Sequence, residues 1–165
     1  MLTLGIDPGT ATTGFGLVRQ QGDNIYHIES GCILTSSKES AQNRLGIIYQ
    51  ETKKLILRHK PDMMAVERLF FGENSKTAMA VGQARGIILL AAAEHKIKIS
   101  EYTPLEVKMA LTGYGKAEKK QIQQMVRILL KLVEVPKPDD AADALAVAIC
   151  HLNSNKLRNI IYSKS

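Results

Sequence analysis

The first ten residues alternate between apolar and small or polar positions and then enter a turn. An extended segment of this kind has two faces: Leu2, Leu4 and Ile6 on one, and Thr3, Gly5 and Asp7 on the other. Pro8 and Gly9 stop the strand directly after Asp7. Asp7 therefore either caps the turn through its side chain or belongs to a site, because ligands collect at the carboxyl ends of strands in α/β sheets.

Two further strands follow, at about 14–19 and 24–35, and residues 21–23 between them are typical of a tight hairpin turn. The short connections predict that the first three strands form an antiparallel meander. The loop before the second strand is small and polar. It suits either a plain glycine-rich turn or the close approach of a backbone or a phosphate.

Beyond the meander, apolar residues recur at intervals of three and four, and helices alternate with short strands. Helices are predicted at about 40–59, 76–95, 104–111, 117–133 and 139–151, and strands at 63–66 and 97–102. This order indicates one α/β domain over residues 1–152 and a polar, basic tail over 153–165 that we expect to fray. The second helix is rich in Gly and Ala, which indicates close approach of another backbone, either the sheet or a second subunit.

A second acid, Glu67, follows the apolar strand at 63–66 just as Asp7 follows the first strand. This repeated placement favours a site over a turn cap. Phe70 and Phe71 come next, and two adjacent aromatic side chains do not both face one core. One of them is either an exposed wedge that stacks on a nucleobase or a residue that packs under the loop or in a subunit contact.

Three acids begin the last helix: Asp139, Asp140 and Asp143. Asp139 suits the N-cap position, and the other two share a helix face because they are three residues apart. No Lys or Arg follows within a turn or two. We therefore expect a cation from outside the helix to offset the charge of Asp143.

Basic residues outnumber acidic ones by 22 to 16, and the resulting net charge of +6 favours an acidic partner such as nucleic acid. Lys116, Lys119 and Lys120 gather at the start of the helix predicted at 117–133, whose apolar stripe is predicted to include Val133. The lysines form either a solvated face or a phosphate site. A phosphate site would explain their position, because positive charge is unfavourable at a helix N-terminus unless an anion binds there.

The two cysteines, Cys32 and Cys150, lie in apolar runs and belong to no C-x-x-C pair, which argues against a disulfide or a zinc site. The chain begins with a strand instead of a signal peptide. Its most apolar run, 86–93, is too short to cross a bilayer. We therefore expect a cytoplasmic protein with no membrane partner.

The acids converge if their strands are neighbours and the last helix packs across the strand ends. Four carboxylates would then meet: Asp7, Glu67, Asp140 and Asp143. Like charges at close range need a shared proton or a bound cation, and ligation by oxygen alone selects Mg²⁺ or Mn²⁺. Two such ions suit phosphodiester hydrolysis, so we predict a metal-dependent nuclease whose lysines hold the backbone of the nucleic acid.

Four motifs resemble the RuvC family of Holliday-junction resolvases: Gly5-Ile-Asp-Pro-Gly-Thr10, Ala65-Val-Glu-Arg-Leu-Phe70, Gly82-Gln-Ala-Arg-Gly86 and Asp140-Ala-Ala-Asp-Ala-Leu-Ala146. The resemblance extends to about residue 152. It implies a ribonuclease-H-like fold, with a five-stranded mixed sheet of three antiparallel and then two parallel strands, flanked by helices. It also implies a crossover junction endodeoxyribonuclease that resolves four-way DNA junctions by paired symmetric nicks in recombination and repair.

The resemblance assigns the four acids as the metal-binding catalytic residues, with Asp7 bridging two Mg²⁺ ions, which Mn²⁺ replaces in some settings. Some members of the family carry His where Asp140 stands, and we expect no His ligand here. Phe70 matches the family's aromatic near the crossover, and Lys108 and Lys119 match its basic residues near the scissile phosphate. The family also implies a homodimer, for which the helix at 76–95 is our candidate face. The implied partners are the junction-binding protein and the branch-migration motor of the same pathway.

Three other functions compete with this interpretation. A related nuclease that trims ribosomal RNA precursors shares the Asp-Pro-Gly opening, but it gives no reason for the small-residue helix or the Phe pair. An actin-like or sugar-kinase ATPase uses a similar Asp-x-Gly-Thr loop but needs two lobes around its nucleotide. A junction-binding module that does not cleave would have no need of all four acids.

Overall fold

The computed structural model describes the backbone of residues 1–68 and 75–162 and the side chains of residues 1–68 and 78–155. The strands of this part form one sheet: β1 (Leu2–Asp7), β2 (Thr12–Gln21), β3 (Asn24–Leu34), β4 (Met63–Glu67) and β5 (Lys98–Tyr102). Their order is β3-β2-β1-β4-β5. The pairs β1–β2 and β2–β3 are antiparallel, whereas β1–β4 and β4–β5 are parallel. The predicted mixed sheet is confirmed.

Helices cover both faces of the sheet: α1 (Ala41–His59), α2 (Ser75–Glu94), α3 (Pro104–Thr112), α4 (Lys119–Leu129) and α5 (Asp139–Tyr162). One core lies between the sheet and the α1–α2 pair, and a second core lies between the sheet and the other three helices. Among the described residues, none of these helices combines the length and the apolar character that crossing a membrane requires.

Two helix boundaries differ from the prediction. Helix α4 ends at Leu129 because Lys131 takes a positive φ of 54°, and Val133, predicted to be part of the apolar stripe, is 99% exposed. Helix α5 does not stop near residue 151 but continues to Tyr162, so the predicted boundary between domain and tail falls inside a helix. The fraying of the tail from residue 153 stays a prediction.

Glycines in β1 and β2 let α5 lie directly on the sheet. A Cβ atom at Gly5 would overlap the carbonyl oxygen of Ala144, and one at Gly14 would overlap that of Asp140. Alanines on the facing side of α5 complete the close approach, since they are fully buried there. The small residues near the first loop thus admit a helix backbone, and they bring the start of α5 to the end of β1.

This packing predicts opposite effects for two Gly→Ala substitutions. Gly5→Ala should lower the free energy of unfolding by about 1–3 kcal/mol, because the added methyl group must push α5 away from β1. Gly46→Ala, in α1, meets no atom and should raise that free energy by up to about 1 kcal/mol through higher helix propensity. Urea denaturation of both variants measures the difference, and a Gly5→Ala protein as stable as the parent would contradict the packing.

Candidate active site

Two of the predicted acids end neighbouring parallel strands. Ile6 of β1 pairs with Val66 of β4, so Asp7 and Glu67 are the next residues along each strand. Both side chains are half-buried, and their carboxyl groups are hydrogen-bonded to each other. Two carboxyl groups can share such a bond only if one of them carries a proton.

Asp7 is the acid that holds this proton. Removal from water raises its pKa to about 8, and the charge of Glu67, the hydrogen bond to it, and the charges of Asp143 and Asp140 act in the same direction. Burial also raises the pKa of Glu67, but there the hydrogen bond from Asp7 opposes the shift. Asp7 is thus the point at which the electrostatic effects of all four acids meet.

The start of α5 supplies the other two acids, as predicted. Asp140 and Asp143 both act on the pKa of Asp7, so the helix brings them within electrostatic reach of the strand ends. The prediction that Asp139 caps this helix is wrong. The helix already includes Asp139, and the carbonyl oxygen of Pro138 accepts the first hydrogen bonds, from the amides of Ala141 (3.0 Å) and Ala142 (3.4 Å).

Lys119 provides the charge that the sequence of α5 lacks. Its ammonium nitrogen lies 2.9 Å from Oδ2 of Asp143 and 3.4 Å from Oδ2 of Asp139. The hydrogen bond to Asp143 raises the pKa of Lys119, and Lys119 in turn opposes the effect of burial, which raises the pKa of Asp143. The cation expected from outside α5 is therefore within the chain. The unfavourable charge of Lys119 at the start of α4 is offset by these two aspartates.

The basic residues predicted to bind DNA fall into two groups. Lys108 and Lys119 line a cavity of about 210 Å³ together with Glu67 and Asp143. Lys120 and Lys116 are exposed and are not among the residues that line this cavity. Phe70 and Phe71, the predicted wedge, lie outside the described residues.

The donor set fits a hard divalent cation, because the acids offer carboxylate oxygens alone. Within the described side chains, no three Asp, Glu, His or Cys groups are already arranged to chelate one ion. Their contacts give the reason: Asp7 and Glu67 share a proton, and Asp143 pairs with Lys119. A bound cation would substitute for both the proton and the ammonium group, so the residues fit the predicted chemistry.

Two features near the acids were missed by the sequence reasoning. Cys32 pairs with Gly14 across β2 and β3, and burial together with the nearby charge of Asp140 raises its thiol pKa to about 11. In addition, Nδ1 of His151 on α5 lies 2.8 Å from the hydroxyl of Tyr102, the residue paired with Glu67. The strand register could have indicated both positions, but only after the pairing of the strands was known.

The motif at 82–86 has a structural part in this region. Arg85 of α2 forms an ion pair with Glu101 of β5, and Nε of Arg68 lies 3.7 Å from the other oxygen of Glu101. Arg68 directly follows Glu67. The motif therefore ties α2 to the strand ends on the face of the sheet opposite α5.

Comparison with known proteins identifies a family that matches this arrangement. The family described as Crossover junction endodeoxyribonuclease RuvC matches residues 3–151. The chain is 52% identical over 164 residues to the protein of that name from Alkaliphilus metalliredigens, covering 99% of this chain and all of the relative. It is 57% identical over 151 residues to the one from Desulforamulus reducens, covering 92% and 93% of the two chains.

A solved structure agrees in both fold and sequence. The chain superposes on Thermus thermophilus RuvC in complex with Holliday junction substrate with a TM-score of 0.91 and 37% identity. The match covers 95% of this chain and 96% of that one. The motifs, the sheet and these full-length matches agree, and the chain belongs to the RuvC family of crossover junction endodeoxyribonucleases.

Proposed function

We propose that this protein resolves four-way DNA junctions in recombination and repair by making paired symmetric nicks with a metal-dependent active site. The observation that carries the proposal is the convergence of four acids at the carboxyl ends of β1 and β4: Asp7, Glu67, Asp140 and Asp143. Membership of the family and the likeness to a relative bound to junction DNA support the substrate. The net charge of +6 suits a polyanionic partner.

Enzymes of this family depend on divalent metal ions. For this chain we propose Mg²⁺, replaceable by Mn²⁺, with two ions per site that Asp7, Glu67, Asp140 and Asp143 would hold. Such ions would supply activation of the attacking water and stabilisation of the leaving oxygen of the phosphodiester. The protein orients the donors: β1 and β4 fix Asp7 and Glu67 side by side, and the rigid start of α5 fixes Asp140 and Asp143.

The lysines hold the DNA beside these acids. Lys108 and Lys119 share a cavity with Glu67 and Asp143, where an ammonium group can contact a phosphate next to the cut. Lys116 and Lys120 extend the basic surface along the start of α4, and Phe70 is proposed as the aromatic that stacks near the crossover. A cation held by Asp143 would replace Lys119 as the neutralising charge, and the ammonium group of Lys119 would then be available to a phosphate of the DNA.

Lys119→Ala should weaken junction binding or slow cleavage while the protein remains folded. The loss of one phosphate contact should also reduce the slope of log affinity against log salt by roughly one unit. Binding isotherms of a labelled junction at several salt concentrations in Mg²⁺, with Lys131→Ala as a control, measure the effect. A variant with the parent's salt slope and full cleavage rate would show that Lys119 contacts no phosphate. Its role would then be limited to the ion pairs with Asp143 and Asp139.

We further propose a homodimer whose two active sites cut opposite strands. Met79, Gly86 and Leu90 are separated by seven and four residues on α2 and so share a helix face. Met79 and Leu90 are exposed, and a Cβ at Gly86 would meet nothing within 4 Å in this chain. Such a face is left open to a second copy.

Junction-binding and branch-migration proteins of the same pathway are proposed as further partners, and the cytoplasm as the compartment.

A plasmid that carries an extruded cruciform tests the paired nicks directly. Two cuts made within one binding event convert the supercoiled plasmid to the linear form without accumulation of nicked circles. Linear product in Mg²⁺ and none in chelator would support the proposal. Nicked circles as the only product would exclude coupled cleavage by two sites.

A further inference from the structure

The loop between α3 and α4 holds an exposed aromatic residue to which the proposed mechanism assigns no role. Residues 113–118 connect α3 to α4, and Tyr114 in this loop is 58% exposed. Its ring lines a groove of about 510 Å³ between the two helices, with Leu111 and Met125 among the apolar walls. This volume lies in the range of sites that hold small organic groups.

The loop presents Tyr114 in a fixed position. Gly113 takes a positive φ of 71°, which ends α3, and its amide donates to the carbonyl of Met109 at 2.9 Å. The hydroxyl of Thr112 accepts from the amide of Tyr114 at 3.1 Å, and the carbonyl of Tyr114 accepts from the amide of Ala117 at 3.2 Å. An aromatic ring on an ordered backbone loses little conformational freedom when a ligand packs on it.

The surroundings of the groove are basic and polar. Lys120, Gln121 and Gln124 line it, and Lys116 lies in the loop itself. Among the described side chains, neither Lys116 nor Lys120 takes part in an ion pair. A protein partner that covered this apolar groove would bury two unpaired charges, whereas a nucleic acid would neutralise them with phosphates.

The groove and the cavity lined by Glu67, Asp143, Lys108 and Lys119 share the same two helices. Lys119, which pairs with Asp143 in that cavity, precedes Lys120 at the start of α4, and both helices that form the groove line the cavity too. A DNA strand that left the acids along the start of α4 would therefore come to Lys120, which lines the groove together with Tyr114.

We propose that this groove is a nucleotide subsite for the DNA strand that leaves the acid cluster. The ring of Tyr114 packs on the face of a nucleobase, and Lys116 and Lys120 bind the flanking phosphates. Stacking on an aromatic ring tolerates every base, so the subsite adds affinity without sequence preference. The proposal rests on the junction-cleaving function and adds a contact to it.

Binding of a fluorescein-labelled four-way junction to the full chain, followed by anisotropy in chelator, tests the subsite. Tyr114→Ala should raise Kd about tenfold through the loss of stacking, with an unchanged salt slope because no phosphate contact is lost. Tyr114→Phe should remain within about twofold of the parent because the ring is kept. Lys120→Ala should instead reduce the salt slope by roughly one unit.

Tyr26→Ala is the matched control, because Tyr26 is also exposed, at 46%, but lies on β3 at the far edge of the sheet. It should bind like the parent. If the parent cuts junctions, two results would overturn the subsite. One is a Tyr114→Ala variant that binds the junction as tightly as the parent, and the other is an equal loss of affinity in Tyr26→Ala. A parent protein that neither binds nor cuts junctions would overturn the proposed function itself.

Discussion

Replacement of Asp7 by Asn should abolish cleavage of a four-way junction, with a loss of at least about 1,000-fold in rate, while the protein still binds the junction. Asp7 is hydrogen-bonded to Glu67 and feels the charges of Asp140 and Asp143, so it is the shared member of the proposed metal site. An amide keeps the shape but cannot carry the negative charge that would hold the proposed cations. Metal ions supply several kcal/mol of transition-state stabilisation, and each 1.36 kcal/mol corresponds to about tenfold in rate.

Binding should be preserved because the contacts proposed with DNA come from other residues. The loss of one negative charge near the phosphates even favours affinity. Asp139→Asn is the control: this exposed acid is adjacent to Asp140 but does not act on the pKa of Asp7. It should retain most of the cleavage rate. An Asp7→Asn enzyme that cuts within about tenfold of the parent would remove Asp7 from the chemistry.

Without metal, the protein should lose stability as the pH rises from about 4 to 8. The pKa of Asp7 is about 8 in the folded protein and near 4 in an unfolded chain. Between these values the folded state binds more protons than the unfolded state, so the free energy of unfolding falls with rising pH. The raised pKa values of Glu67 and Asp143 act in the same direction. The total effect is on the order of a few kcal/mol.

Thermal melts in chelator at pH 5 and pH 8 measure this effect, with Asp7→Asn as the comparison. The variant should melt higher than the parent at pH 8, and its melting temperature should depend less on pH, because it has no carboxyl group to ionise at that position. Mg²⁺ should restore the stability of the parent at pH 8. At 100 times its dissociation constant, a bound ligand raises the free energy of unfolding by about 2.7 kcal/mol. A parent that is more stable at pH 8 than at pH 5 in chelator would contradict a tight acid cluster.

Local patterns predicted the strands, the antiparallel meander of the first three and the placement of the acids, whereas the parallel part of the sheet was predicted from the resemblance to the family. Apolar alternation that ends in a carboxylate located Asp7 and Glu67 at strand ends, and the spacing of Asp140 and Asp143 located them on one helix face. These features depend on neighbours within a few residues. The strand order β3-β2-β1-β4-β5 then brings the acids together.

The contacts that the sequence did not predict join residues far apart in the chain. Lys119 reaches Asp143 from a different helix, and Cys32 meets Asp140 from the edge strand. Periodicity carries no information about such pairs, because they depend on how α5 packs against α4 and against the sheet. Helix ends were also missed, since the backbone turn at Lys131 and the continuation of α5 to Tyr162 have no strong stop signal or cap nearby.

The proposed function is tested most directly by the cleavage of a synthetic mobile four-way junction. The full chain is assayed in Mg²⁺ and in chelator, with linear duplex and an RNA–DNA hybrid as controls. We predict paired symmetric nicks on the junction alone, and only with the metal. Cutting of the hybrid or of single-stranded RNA in place of the junction would contradict a junction-resolving function. It would leave the fold and the acid site in place but assign the protein a different substrate.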